Sequence, residues 1–284
     1  MKLIGEKGVH RILMGIAFSA ISALLLITLF IISEGLPFIF EYGLTDFLFS
    51  SEWIPAEKKF GIFPMIAASL WVTFGAMILG APLGVAVALF LSEYVPRSVM
   101  RIIKPTIELL AAIPSVVYGF IGVMVLAPII RNYLGGPGLS LLAGSVILGI
   151  MILPTVISIS IDSILAVPQS FREGSLALGA TTWQTIHMVT IKAAKSGIIA
   201  SIILGLGRAI GETMAVIMVA GNSVNIPGSA LDSVRTLTAN IALEMSYATG
   251  LHRQALFATG VILFIGIIIL NSIASVALRK RAVR

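Results

Sequence analysis

Six stretches of this chain stay apolar for more than twenty residues, near 12–33, 65–92, 107–130, 139–166, 197–221 and 255–278. A helix rises about 1.5 Å per residue, so about 20 residues cross the ~30 Å hydrocarbon core of a bilayer. Backbone amides inside that core must pair within the protein, which leaves only helices or a closed barrel. None of the six stretches shows the ten-residue alternation of a barrel strand. The expected fold is therefore an all-α integral membrane bundle of six transmembrane helices. Composition agrees: 58% of the 284 residues are hydrophobic and only 11% charged, where soluble domains carry about 25% charged residues. The second and fourth stretches exceed the length of one crossing, so tilt, kinks or cytoplasmic extensions are expected. The first is too long for a signal-peptide core and has no small-residue cleavage motif after it, so it reads as a retained span.

Lysine and arginine set the orientation. With both termini inside, the cytoplasmic set is Lys2, Lys7, Arg11, Arg97, Arg101, Lys104, Arg172, Lys192, Lys195, Arg279, Lys280, Arg281 and Arg284. The outer set is Lys58, Lys59, Arg131, Arg235 and Arg253, and only Arg208 falls within a span. The bias is more than twofold and argues for N-in and C-in. The net charge of +6 follows this topology, and nothing in it calls for nucleic acid. Residues 1–64 make one span and an outer loop; residues 65–284 make a five-helix core with a long cytoplasmic loop at 167–195.

Several chemistries are excluded. The chain has no cysteine, hence no disulfide, thiolate metal site or cysteine nucleophile. His10, His187 and His252 stand in separate regions and make a poor metal site. There is no Walker loop for ATP, and neither Gly-x-Ser-x-Gly nor His-Glu-x-x-His marks an intramembrane enzyme. No cofactor is expected, and energy for any transport must come from a partner or an ion gradient.

The outer loop at 34–64 mixes Glu34, Glu41, Asp46, Glu52 and Glu57 with Phe38, Phe40, Tyr42, Phe47, Phe49 and Trp53. This fits an interfacial aromatic belt, a docking surface for an extracytoplasmic partner, or both. The second long outer loop, about 222–254, is polar, with a short helix expected near 234–246. Pro82, Pro114 and Pro154 lie inside spans two, three and four, flanked by glycines. Proline removes a helical hydrogen bond, and small residues let helices approach, so these sites serve packing, gating or both.

Span five contains Gly205-Leu206-Gly207-Arg208-Ala209-Ile210-Gly211-Glu212-Thr213-Met214-Ala215-Val216. Four residues apart, Arg208 and Glu212 are expected on one helix face, beside Thr213. A lone charge at the bilayer centre costs about 2.5–3.5 kcal/mol on insertion scales, so intramembrane charges are functional candidates. Arg208 is eleven residues into the span, about 16 Å deep. Its planar fork suits a tetrahedral anion, and Glu212 would neutralise it when no anion is present. A purely structural salt bridge is the alternative. Asp162, late in span four, is expected to snorkel.

The cytoplasmic loop runs Val167-Pro168-Gln169-Ser170-Phe171-Arg172-Glu173-Gly174-Ser175-Leu176-Ala177-Leu178-Gly179-Ala180-Thr181-Thr182-Trp183. Pro168 suits a helix start, Gly179 a left-handed turn, and Thr181 or Thr182 the cap of a second helix. Such a helical hairpin could rest on the membrane surface or act as a socket for a motor domain.

Glu173, Ala177 and Gly179 resemble the EAA loop of ABC importer permeases, with Gly174 and Ser175 in place of its alanines and Lys192 in place of a proline further on. Gly207 to Val216 followed by Ala220-Gly221-Asn222 is similar to the fifth-span motif of phosphate permeases of the PstC type. Phe60-Gly61-Ile62, Leu89-Phe90-Leu91-Ser92-Glu93-Tyr94 and Ile113-Pro114-Ser115-Val116-Val117-Tyr118-Gly119 match in the same order, so the resemblance covers residues 12–278. It implies a type I (MetI-like) permease subunit without its own ATPase site, in the cell membrane. Its implied partners are a homologous PstA-type permease subunit, a cytoplasmic ATPase dimer and an extracytoplasmic phosphate-binding protein. It implies Arg208, Glu212 and Thr213 for the substrate path, Glu173, Ala177 and Gly179 for ATPase coupling, and Pro82, Pro114 and Pro154 for kinks or gating. The competing readings are a molybdate or sulfate permease and a stand-alone proton-coupled anion carrier.

Overall fold

The computed structural model describes residues 6–282, with the side chains of Glu6, Lys7, Val9 and residues 277–282 outside that description. Of the residues used for orientation, Lys2 and Arg284 lie outside it, as do the side chains of Lys7, Arg279, Lys280 and Arg281. Six helical stretches among the described residues are long and apolar enough to cross a membrane: His10–Tyr42, Phe63–Tyr94, Ser115–Tyr133, Leu141–Leu165, Thr182–Gly211 and Gly250–Val276.

Helix α1 (Glu6–Tyr42) runs nine residues past its expected end and contains Pro37. Helix α2 (Leu44–Phe49) and a hairpin of β1 (Trp53–Ile54) and β2 (Lys59–Phe60) follow. Glu52 and Glu57 hydrogen-bond Lys59 and push its pKa above the ordinary lysine value. Helix α3 (Phe63–Tyr94) is the second crossing, with Pro82 inside it as expected.

The third crossing differs from the single kinked helix expected over 107–130. Helix α4 (Arg97–Ala111) stops, and α5 (Ser115–Ile121) starts behind Pro114, which is therefore an N-cap and not a kink inside a helix. Proline has no N–H to give to the carbonyl four residues back. That carbonyl, of Leu110, accepts instead from the Tyr118 hydroxyl at 3.0 Å. One π turn, Gly122–Leu126, joins α5 to α6 (Ala127–Tyr133).

Helix α7 (Leu141–Leu165) is capped by the Ser140 hydroxyl, which accepts from the Ala143 N–H, and holds Pro154 inside it. The cytoplasmic hairpin takes the expected form: α8 (Gln169–Ala177) behind Pro168, Gly179 at φ 83°, and α9 (Thr182–Thr185). Thr181 and Gln184 close a reciprocal capping box on α9. A π turn, Ile186–Thr190, leads into α10 (Ile191–Gly211). Helix α11 (Met214–Val219) follows after a break, then α12 (Leu237–Glu244) close to the helix expected at 234–246, and α13 (Gly250–Ala282).

Close approach of small residues organises the bundle. A Cβ on Gly80 would sit 2.6 Å from the Gly149 carbonyl oxygen, and one on Gly84 would sit 2.8 Å from Val156, so α3 and α7 pack backbone to backbone. Gly119 brings α5 onto Met218 and Ala215 of α11 in the same way. Helix α10 lies on α7, where the buried hydroxyls of Ser160 and Ser201 hydrogen-bond at 2.8 Å. Helix α1 packs along α13, with Gly35 against the Phe257 backbone.

Over the outer end sits a cap, in the loop for which an interfacial aromatic belt, a docking surface or both were expected. Phe38, Phe47, Trp53 and Phe60 are buried, and Phe38 meets the rings of Phe47 and Phe60 edge-on at 5.5 and 5.4 Å. Only Phe40 and Phe49 of the counted phenylalanines face outward. The cap is bolted to α12 and α13 by one buried carboxylate. Glu244 accepts from the Trp53 indole N–H at 2.8 Å and from Arg235 at 2.7 Å, and it pairs with His252 at 2.8 Å. The polar residues of both outer loops thus converge on a single point of the core, while Glu41, Asp46, Glu52 and Glu57 remain on the surface.

Candidate functional site

The site forms where two helices break at the same place. Helix α10 ends at Gly211; Glu212 is extended (φ −70°, ψ 129°), and α11 begins only at Met214. The backbone is held open by its neighbours. The Thr238 hydroxyl donates to the Glu212 carbonyl at 3.1 Å, and the Thr213 hydroxyl donates to the Gly211 carbonyl at 3.2 Å. The second break is the α4–α5 step at Ala112–Pro114.

Arg208, on the last turn of α10, reaches between them. It is half-buried and donates to the Thr155 hydroxyl at 3.3 Å and to the Ala111 carbonyl at 3.4 Å. Both contacts are long. No carboxylate lies within 4.0 Å of it among the described residues. Thr155 falls near the middle of α7, which agrees with the mid-membrane depth expected for Arg208.

The expected Arg208–Glu212 pair on one helix face is corrected here. The break at Gly211 turns the Glu212 side chain forward, and its Oε1 accepts from the backbone N–H groups of Thr213 (3.1 Å) and Ala215 (3.3 Å). Glu212 therefore serves the exposed amides at the start of α11, where a negative charge is favourable. Arg208 keeps its charge with only neutral acceptors beside it. A guanidinium carries five N–H donors in a planar fork; two are engaged in these contacts.

Gly207 and Gly211 flank Arg208 on the last turn of α10. A Cβ added to either meets nothing within 4 Å inside this chain, so the helix approach expected beside these glycines does not come from the chain itself. Gly205, one face round, packs instead on Val156 of α7. At the far end of α11, Gly221 and Asn222 both take positive φ (86° and 60°), and the Asn222 amide donates to the Ile217 carbonyl.

Arg208, Glu212 and Thr213 are thus local to one broken helix, and Pro114 joins them through Ala111. Pro154 directly precedes Thr155, the Arg208 contact, inside α7, while Pro82 sits inside α3. Glu173, Ala177 and Gly179 lie on the exposed cytoplasmic hairpin, whose tip presents Leu178 (91% exposed) and Trp183 (66%). The hairpin is anchored to the bundle by Arg172, which approaches Glu93 of α3 at 2.8 Å and donates to the Ile164 carbonyl of α7. Asp162, expected to snorkel, pairs with Lys104 of α4. Thr155 and Tyr118 were not singled out by sequence as site residues. The available signal was position: each is a polar group within four residues of a proline in an apolar run.

Residues 80–284 match the sequence family described as "binding-protein-dependent transport system inner membrane component". The chain is 43% identical over 256 residues to the "probable ABC transporter permease protein YqgH" of Bacillus subtilis (strain 168), covering 88% of this chain and 83% of that one. It is 38% identical over 256 residues to the "phosphate transport system permease protein PstC" of Mesorhizobium japonicum, covering 83% and 78%. The PstC of Pasteurella multocida is 32% identical over 255 residues, covering 83% and 80%. Among solved structures, a chain of a bacterial alginate ABC transporter superposes with a TM-score of 0.69 at 13% identity, covering 99% of both chains. One from an inward-facing MetNI methionine ABC transporter gives 0.57 at 20% identity, covering 78% of this chain and 94% of that one. At these identities the structural likeness is one of fold.

Proposed function

Because the chain belongs to the binding-protein-dependent transport system inner membrane components, we propose that it is the multi-pass permease subunit of an ATP-driven importer of inorganic phosphate in the cell membrane. The single observation that carries the anion reading is Arg208: a permanent positive charge within a membrane helix, held only by a hydroxyl and a carbonyl. An arginine whose purpose was to fasten helices would take a carboxylate partner, and Glu212 is within four residues to supply one. It is used elsewhere. The substrate names of the PstC relatives point to phosphate.

In this reading the phosphate oxygens replace the two long contacts of Arg208 with shorter charge-assisted bonds. Dehydration of the anion is offset there, in a low-dielectric site, more strongly than at the surface. The Thr155 hydroxyl and the freed Ala111 carbonyl are the groups the guanidinium returns to after the anion leaves. A homologous PstA-type subunit would supply the other wall of the path, facing Gly207 and Gly211. The α8–α9 hairpin, with Glu173, Ala177, Gly179 and the exposed Leu178 and Trp183, would receive the ATPase dimer. A phosphate-binding protein would dock on the acidic face of the outer cap. Pro82 and Pro154 would act as compliant points in α3 and α7, and Pro114 as the fixed break beside Arg208.

Phosphate uptake into vesicles, with and without the co-expressed ATPase, tests the whole reading. Uptake is expected only with the ATPase, and Arg208→Gln is expected to lower it at least a hundredfold while the assembled complex purifies in normal yield. Uptake without ATP would instead make the chain a stand-alone carrier, and normal uptake by Arg208→Gln would remove the arginine from the path.

A further inference from the structure

A second cluster of cations lies at the cytoplasmic end of the bundle, apart from Arg208. Helix α4 has three distinct faces. Met100, Ile103 and Ile107 pack on the bundle, and Val99, Ile102 and Leu109 point outward into apolar surroundings. Between these faces runs a charged stripe at helical spacing: Arg97, Arg101, Lys104 and Glu108. The stripe forms one wall of an open groove of about 670 Å³, lined on the other sides by Ser92 at the end of α3, Leu165 at the end of α7, and Arg172 of the hairpin helix α8.

The charges there do not cancel. Lys104 is paired with Asp162 and lies 3.9 Å from Glu108, and Arg172 is beside Glu93. Arg97 and Arg101 have no carboxylate partner among the described residues. The Nε of Arg172 is buried and has no hydrogen-bond acceptor. A buried guanidinium N–H without an acceptor is costly, and such groups are normally satisfied. The groove therefore presents two exposed guanidinium groups without a counter-charge, those of Arg97 and Arg101, next to an outward apolar face.

We propose that this groove is a binding site for a phosphoryl anion, held by Arg97 and Arg101 and distinct from the Arg208 site. Tetrahedral phosphoryl oxygens accept from arginine forks in the geometry the stripe presents. Two sources carry that chemistry at this depth: the headgroup of an anionic phospholipid of the cytoplasmic leaflet, with its chains along Val99, Ile102 and Leu109, or free inorganic phosphate. The site stands whatever solute Arg208 handles. Because Arg172 anchors the hairpin, an occupant would brace α8 against α3 and α4.

The experiment uses the assembled permease in two arms. In nanodiscs of phosphatidylcholine alone, bound ³²P-inorganic phosphate is measured on an Arg208→Gln background, so that the first site is silent. In nanodiscs containing phosphatidylglycerol, native mass spectrometry counts lipid retained through delipidation. Arg97→Gln combined with Arg101→Gln is expected to cut the signal at least fivefold in one arm, and the arm that responds names the source. Arg97→Lys with Arg101→Lys is expected to keep most of it. If neither arm changes in the glutamine variant, the proposal is overturned. If that variant fails to assemble, the single variants Arg97→Gln and Arg101→Gln are read in the same arms by the same criterion.

Discussion

Glu212 carries a negative charge into the membrane for a purpose that its spacing from Arg208 conceals. Its Oε1 accepts from two backbone amides at the start of α11. An amide side chain can accept the same bonds, so Glu212→Gln is expected to assemble and melt within a degree or two of wild type. Glu212→Ala leaves the amides open and is expected to lose about 1 kcal/mol, read as a lower Tm in detergent. Equal losses in the two variants would restore the ion-pair reading. Sequence reasoning found both charged residues because charges stand out in an apolar run. It missed their separation because nothing in Ile210 to Val219 signals a break. The break depends on Thr238, twenty-six residues away, taking the Glu212 carbonyl.

At the scale of elements, glycine and proline determine how closely helices meet and where they stop. The α3–α7 contact is the most extensive in the bundle, and Gly80 lies where its backbone touches that of Gly149. Gly80→Ala places a methyl 2.6 Å from a carbonyl oxygen that has no side-chain freedom. The cost is expected at about 1–3 kcal/mol, measured as a fall in Tm of the purified assembly; an unchanged Tm would mean that the two helices separate without penalty. Long spans were legible because hydropathy adds over some twenty residues, and one misjudged position changes little. Helix α4 was not, since it is apolar on two faces and charged on the third. Its apolar end merged with the run behind it, so 107–130 read as one span although the break at Pro114 divides it.

For the molecule as a whole, the division into an outer cap, a crossing bundle and a cytoplasmic hairpin follows from where polar groups gather. Glu244 holds the cap: its charge faces Arg235 and His252, and its side chain is about 9% exposed. Glu244→Gln removes the counter-charge of a half-buried arginine and is expected to cost about 2 kcal/mol, with the cap released first. Proteolysis within 50–60 should then speed up while the crossings stay protected; unchanged cleavage would show that the aromatic cluster alone fastens the cap. Sequence placed these aromatics at the right end of the molecule but on its surface. Burial came from partners nearly two hundred residues away, such as Glu244 for Trp53, and no local pattern encodes such a pairing.

The π turn at Ile186–Thr190 has a consequence for lineage rather than for force. Such a turn holds one residue more than an α-helix needs between the same two ends. The fifth crossing therefore contains a spare residue, and losing it leaves the phase of the helix on either side unchanged. A one-codon deletion at Val189 is expected to assemble in normal yield. The same deletion at Ile202 would rotate the rest of α10, Arg208 included, by about 100° and is expected to abolish assembly or uptake. Insertions and deletions among descendants of this gene should therefore be tolerated at 186–190 and purged a few residues further on.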